Sequence, residues 1–142
     1  MALSGFATTG VPGHASRGAD YRPGVCNIGP AEIGRRRRAG HVGALATVVL
    51  FTVLVAIGAP PLARLLVVLP AAVAASGYLQ AWLRFCAGFG SRGVFNFGPL
   101  GQTKQVADTA ARARDRARAT WVGLASLAVG LAVGLAAVLL PR

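Results

Sequence analysis

A polar motif occurs twice in the chain: asparagine, an apolar residue, glycine and proline, at residues 27–30 and 96–99. An asparagine side chain in such a turn can hydrogen-bond nearby backbone, so each copy could simply begin a helix. The alternative is that the two turns meet and frame one docking site. The residues of this candidate interaction site are Cys26, Asn27, Gly29, Pro30, Glu32, Arg35, Asn96, Gly98 and Pro99.

Two cysteines and two histidines are the residues of this chain that could support metal or redox chemistry. Cys26, Cys86, His14 and His41 match the number of ligands in a zinc site, but their spacing matches no zinc finger. Both cysteines are expected to face a reducing compartment, where a structural disulfide is not favoured and a redox pair is the alternative. We therefore predict neither a metal nor a cofactor.

Catalytic residues are sparse in this sequence. The chain has only four acidic residues, and no serine lies in a nucleophile motif or beside a histidine. A proton-coupled transporter usually places an ionisable residue within the bilayer, whereas the ionisable residues of the apolar segments lie at their ends. These observations favour a non-enzymatic protein over an enzyme or a transporter.

The elements that must carry these residues are strongly apolar. Of 142 residues, 54% are hydrophobic and 13% are charged, and the apolar residues cluster at 41–59, 62–85 and 121–140. Each cluster is long enough to cross a hydrocarbon core of about 30 Å. The net charge of +11 comes from basic residues that mostly flank these clusters. Anionic lipid headgroups account for that placement, so we expect no nucleic-acid partner.

The distribution of basic residues predicts the orientation. Arg35, Arg36, Arg37 and Arg38 immediately precede the first apolar segment, and six more basic residues follow the second one before residue 120. Basic residues are retained on the cytoplasmic side, so we predict a cytoplasmic N-terminus and an external C-terminus. Between the first two segments, Pro60 and Pro61 predict a sharp turn, after which Arg64 is expected to extend outward into the interface.

We therefore predict an all-α membrane protein with three transmembrane helices, a tight hairpin followed by a third helix that extends into the cytoplasm. The Ala-rich run before the third span favours one continuous helix, with Asp108 and Asp115 facing nearby arginines. The predicted regions are a flexible tail (1–24), a juxtamembrane segment (25–40), the hairpin (41–85), a cytoplasmic loop with a basic helix (86–120) and the third span (121–142).

Small residues recur at four-residue intervals in the third span, at Ser126, Gly130 and Gly134. Such a stripe lets two helix backbones approach closely in lipid. We favour packing against the protein's own hairpin, with a homo-oligomer contact as the alternative.

The string Cys-Asn-Ile-Gly-Pro-Ala-Glu-Ile at residues 26–33, followed by the arginine run, resembles small uncharacterised bacterial integral membrane proteins. The resemblance covers about the first third of the chain. It implies the same topology in a bacterial inner membrane, and it implies no activity, substrate or cofactor.

These observations predict an accessory or scaffold subunit that acts by protein–protein or protein–lipid interaction through its basic cytoplasmic face. The expected partners are anionic headgroups of the bilayer and another membrane protein or a second copy of the chain. The alternative function is a small oligomeric channel or transporter.

The orientation can be tested with a reporter that is active only outside the cytoplasm. Fused after Arg142, the reporter should be active, and fused within residues 101–103 it should be silent, because the basic residues hold the connecting loop inside. The opposite pattern would contradict the predicted orientation.

Overall fold

Helices account for most of the computed structural model, which describes residues 21–140. Two very short strands pair antiparallel between the last two helices, with Val94 opposite Gln105 and Phe95 opposite Lys104. The predicted helical fold is therefore confirmed, but the small sheet was not predicted. In chain order the elements are α1 (Pro30–Ala56), a 3-10 helix (Pro61–Val67), α2 (Val68–Leu83), α3 (Ala87–Arg92), β1 (Val94–Phe95), β2 (Lys104–Gln105) and α4 (Thr109–Leu139).

Three helical segments are long and apolar enough to cross a membrane, which agrees with the predicted number of spans. They are α1, the 3-10 helix joined to α2, and α4. Residues 30–40, which belong to the predicted juxtamembrane segment, form the first turns of α1 itself. Residues 109–120 continue directly into the third span, as predicted. Both long helices thus carry a basic end and an apolar end.

The first two segments form a tight hairpin. Gly58 adopts a positive φ of 65°, and Ala59 closes the turn by donating to the carbonyl of Leu54 at 2.9 Å. The second segment then begins as a 3-10 helix, in which Ala63 donates to the carbonyl of Pro60. The two prolines lack N–H donors, so they can end one helix and open the next but cannot continue either. The 3-10 geometry was not expected from the sequence.

Glycine allows α1 and α2 to touch through their backbones. A Cβ atom at Gly77 would overlap the backbone nitrogen of Gly40 and lie 2.7 Å from the carbonyl oxygen of Arg36. One turn further along, a Cβ at Gly43 would lie 2.6 Å from the backbone nitrogen of Ala74. Close approach of this kind increases the van der Waals contact between the two helices, as small residues do in membrane helix pairs.

The third span packs against α2 through its stripe of small residues. A Cβ at Gly130 would lie 2.8 Å from the carbonyl oxygen of Val68, and one at Gly134 would overlap the side chain of that valine. Ser126 is buried and donates to the carbonyl of Val122 within its own helix. The stripe therefore faces the protein's own hairpin, and α2 lies between α1 and α4.

Arg64 does not extend outward, so that prediction was wrong. Its side chain is 1% exposed and donates to the carbonyls of Ala137 at 3.2 Å and Leu140 at 2.8 Å. The last carbonyls of a helix have no partner within the helix, and the negative end of the helix dipole attracts a cation. The end of α4 thus provides two carbonyl acceptors for one nitrogen of the guanidinium, whereas its buried Nε has no hydrogen-bond partner among residues 21–140.

Gly77→Ala should destabilise the protein by about 1–3 kcal/mol, because the added methyl group meets backbone atoms that cannot move without separating the helices. Gly123→Ala is the matched control, since no atom lies within 4 Å of its added Cβ. The stability of both variants is measured by unfolding them in detergent and recording the loss of the helical circular dichroism signal. Equal stability of the two variants would show that the α1–α2 contact is not as close as described.

Candidate functional site

The charged end of the helix bundle contains both copies of the asparagine motif. Among residues 21–140, every basic residue except Arg64 lies at this end, because α1 starts there, α2 ends there and α4 starts there. The segments before α1 and between α2 and α4 are joined there by hydrogen bonds. Local bonds would make each motif an ordinary turn, whereas long-range bonds would make it a connection between distant segments.

Asn27 joins two distant parts of the chain. Its side chain is fully buried, accepts a hydrogen bond from the backbone nitrogen of Cys86 at 2.6 Å and donates one to the carbonyl of the same residue at 3.0 Å. Its own backbone nitrogen donates to the carbonyl of Arg84 at 3.1 Å. The first asparagine therefore binds the chain that leaves α2, not the backbone nearby.

The two turns pair directly with each other. Gly29 donates to the carbonyl of Asn96 at 2.8 Å, and the Asn96 nitrogen donates to the carbonyl of Asn27 at 3.0 Å. A Cβ at Gly29 would lie 2.8 Å from the Cα of Phe97, so only glycine allows this approach. We call residues 27–30 and 96–99 the paired turns.

The second asparagine acts locally. Asn96 accepts a hydrogen bond from the nitrogen of Gly98 at 2.9 Å and donates to the carbonyl of Pro99 at 2.8 Å. This is the turn-forming role that the sequence suggested for both copies. The two copies of the motif thus do different work within one structure.

Both cysteines lie beside the paired turns, and both are buried and free. Arg36 donates to the sulfur of Cys86 at 2.8 Å, and its guanidinium lies 6.0 Å from the ring centre of Phe89. The Cys26 thiol lies 4.0 Å from the carbonyl oxygen of Ile28. No group of three or more metal-ligating side chains comes together in residues 21–140, and His14 lies outside that range.

Residues 21–24 were assigned to the flexible tail, yet they are bound to α4; residues 1–20 of that tail lie outside the described residues. The fully buried carboxylate of Asp115 accepts a hydrogen bond from the Tyr21 hydroxyl and one from the Gly24 nitrogen, both at 2.7 Å. The Tyr21 ring also stacks on Phe95, with ring centres 4.8 Å apart. Burial and the hydrogen bond to Asp115 raise the pKa of Tyr21, which keeps its hydroxyl protonated as a donor.

The ion pairs expected along the basic part of α4 are not formed. Asp108 instead caps the helix by accepting hydrogen bonds from the nitrogens of Ala110 and Ala111, both at 3.1 Å. Arg112 donates to the carbonyl of Val106 at 2.6 Å. The first backbone N–H groups of a helix have no partner within the helix. An aspartate one residue before the helix therefore accepts hydrogen bonds from them instead of pairing with a solvated arginine.

A cleft of about 610 Å³ opens between the paired turns, the start of α1 and the end of α2. Two arginines line it together with apolar and aromatic residues, and none of its lining residues is acidic. Arg84 has a positive φ of 52°, which is uncommon for a residue other than glycine. The lining residues are Ile28, Gly29, Pro30, Ile33, Gly34, Arg37, Ala81, Trp82, Arg84 and Phe97.

The structure brings only part of the predicted interaction site to this cleft. Gly29 and Pro30 line it, whereas Cys26 and Asn27 are buried beside it. Gly98 and Pro99 belong to the second turn and are exposed.

Glu32 and Arg35, also predicted as site residues, do not line the cleft. The Arg35 Nε atom lies 3.2 Å from the carboxylate of Glu32, which is buried. This contact is the one ion pair within residues 21–140.

Sequence reasoning missed three prominent cleft residues, Arg37, Trp82 and Arg84. The sequence did offer a signal for them, since Trp82 and Arg84 end an apolar span and Arg37 belongs to an arginine run. It could not show that the ends of two helices bring these three side chains to one cavity.

Comparison with known proteins adds no family: no protein-family model matches the chain, and no curated protein or solved structure matches it. The resemblance to small bacterial membrane proteins therefore remains an expectation, and function must be argued from the site itself.

Asn27→Ala should destabilise the protein more than Asn96→Ala does. The first change leaves the buried backbone nitrogen of Cys86 without its Asn27 partner, at about 1–3 kcal/mol, while the Cys86 carbonyl keeps its bond from the Gly90 nitrogen. The second change removes only bonds within one turn. Detergent unfolding of each variant measures the difference. Asn27→Asp is a further control, since it keeps the acceptor for the Cys86 nitrogen and loses the donor. A smaller loss for Asn27→Ala than for Asn96→Ala would contradict the assigned roles.

Proposed function

We propose that this chain is an accessory or scaffold protein of the bacterial inner membrane, which acts by protein–protein or protein–lipid interaction. In this proposal the charged end lies in the cytoplasm and the far end of α4 lies outside. The observation that carries the proposal is the charged end itself, where the basic ends of α1 and α4 lie beside the hydrogen-bonded paired turns. Basic residues on one side of three apolar helices favour that orientation.

The rigidity of this surface supports a binding role. Asn27 and Asp115 are fully buried, and each fixes a segment far away in sequence. A surface that is already ordered loses little conformational entropy when a partner binds. Around it, side chains such as Arg38 and Arg116 are exposed and can meet an acidic partner.

The apolar helices also leave most of their surface uncovered. Only 17%, 28% and 28% of the most apolar stretches of the three spans is buried inside the protein. Within the apolar part of α1, burial is limited to Gly40, Gly43 and Leu54. Such a lateral surface suits contact with lipid or with the spans of another membrane protein.

The alternative, an oligomeric channel or transporter, receives less support. The stripe of Ser126, Gly130 and Gly134 packs within the chain, so it does not offer a contact between copies. A pore would therefore have to be built from the other faces of the helices. Oligomeric state separates this alternative from the accessory role.

The proposal is tested by purifying the tagged full chain from native membranes in mild detergent and identifying the proteins that copurify. A specific membrane protein should be recovered, and it should recover this chain when it is tagged in turn. The double variant R38Q/R116Q should lower that recovery several-fold, because both arginines are exposed at the charged end. R38K/R116K is the charge-matched control.

The outcome depends on intact insertion, which the topology reporter checks in the same variants. Recovery that is unchanged in R38Q/R116Q would contradict binding through the basic face. Purification of a uniform homo-oligomer with no other protein would contradict the accessory role and favour the channel.

A further inference from the structure

We propose that the cleft beside the paired turns binds the phosphate-bearing headgroup of an anionic membrane lipid. In this site Arg37 and Arg84 bind the phosphate, and Trp82 contacts the part of the lipid that enters the apolar layer. The inference rests on the proposed function and deepens it, because it names the lipid that the charged end binds and the residues that bind it.

The charges of the cleft come from two different helices. Arg37 lies in the second turn of α1, and Arg84 is the residue that ends α2. Neither takes part in an ion pair within residues 21–140, whereas neighbouring Arg35 pairs with Glu32 and Arg36 donates to Cys86. With no acidic residue in the lining, the cleft offers two cations to an anion. Guanidinium groups bind phosphate oxygens by charge-assisted hydrogen bonds.

The backbone around Arg84 is held in an unusual conformation. Its left-handed φ of 52° ends α2, and its carbonyl accepts hydrogen bonds from Asn27 at 3.1 Å and Ile28 at 3.4 Å. Backbone strain of this kind persists only where the surroundings hold it, and it is common at binding sites. The paired turns thus keep this residue on the wall of the cleft. Gly29 and Pro30, at the positive end of the α1 dipole, line the same cleft and add to its attraction for anions.

The rest of the cleft lining is mostly apolar, which suits an amphiphile better than a free ion. This apolar part of the lining includes Ile33, Ala81 and Phe97 together with Trp82, which is 79% exposed. Tryptophan is enriched where the apolar layer of a membrane meets the headgroups. A volume of about 610 Å³ is also far larger than a single inorganic ion needs, and it lies within the usual range for organic ligands.

The test uses the delipidated full chain in detergent, titrated with phosphatidylglycerol, phosphatidylcholine or inorganic phosphate. Binding is followed by native mass spectrometry and by tryptophan fluorescence. Phosphatidylglycerol should bind more tightly than phosphatidylcholine, and inorganic phosphate at millimolar concentration should not displace it. R37Q/R84Q should weaken phosphatidylglycerol binding about tenfold, which corresponds to about 1.4 kcal/mol.

R38Q/R116Q is the control with the same net charge, since neither residue lines the cleft, and it should bind phosphatidylglycerol like the unchanged protein. Trp82→Ala keeps both cleft arginines and tests the apolar part of the lining. Because the Trp82 side chain is exposed, its removal should leave the fold intact. It should also weaken lipid binding.

Specific outcomes overturn the lipid site. Wild-type affinity of R37Q/R84Q for phosphatidylglycerol would exclude the two arginines as ligands. Displacement by inorganic phosphate would make the cleft a phosphate site, and displacement by an acidic peptide would make it a peptide site. If R38Q/R116Q loses partner recovery but binds lipid normally, both proposals are supported. If R37Q/R84Q loses lipid binding but keeps full partner recovery, the lipid site is separate from the surface that binds the partner.

Discussion

The charged end of this protein depends on one buried amide. Asn27 accepts a hydrogen bond from the backbone nitrogen of Cys86 and donates one to its carbonyl, which connects the chain entering α1 to the chain leaving α2. Water cannot replace these bonds in a site that excludes it, so the pairing is costly to lose. The second turn, the carbonyl of Arg84 and the wall of the cleft all attach to the segment that this amide holds. The position of Arg84 at the cleft thus depends on a segment that a neutral side chain holds in place.

Two kinds of interaction hold the molecule together, and they occupy opposite parts of it. Along the apolar helices, small residues such as Gly77 and Gly130 bring backbones into contact. At the charged end, the hydrogen bonds made by the Asn27 amide and those accepted by the Asp115 carboxylate connect segments that are far apart in sequence. Helix contacts of the first kind resist separation of the spans, whereas bonds of the second kind determine which loops lie side by side.

Features that depend on residues close together in sequence could be predicted, because the length of each apolar segment and the positions of the prolines are enough to define them. The three apolar helices, the hairpin at Pro60 and the uninterrupted α4 belong to this group. The burial of Arg64 and of Asp115 could not be predicted, because each depends on a partner from a distant segment. The motif at Asn27 indicated the correct region. Its hydrogen-bond partner, Cys86, lies 59 residues away, and no sequence pattern indicates this pairing. The cleft was missed for the same reason, since two helix ends create it together.

The guanidinium of Arg64 has a consequence for the order of assembly. Synthesis proceeds from the N-terminus, so the hairpin that contains Arg64 exists before the carbonyls of Ala137 and Leu140 have been made. During that interval the cation must be solvated by water or by headgroups, because an isolated charge is costly to bury. Arrival of the last span removes this requirement and allows the arginine to enter the interior. The first two helical segments alone therefore lack the two carbonyl acceptors that this buried arginine uses in the complete chain.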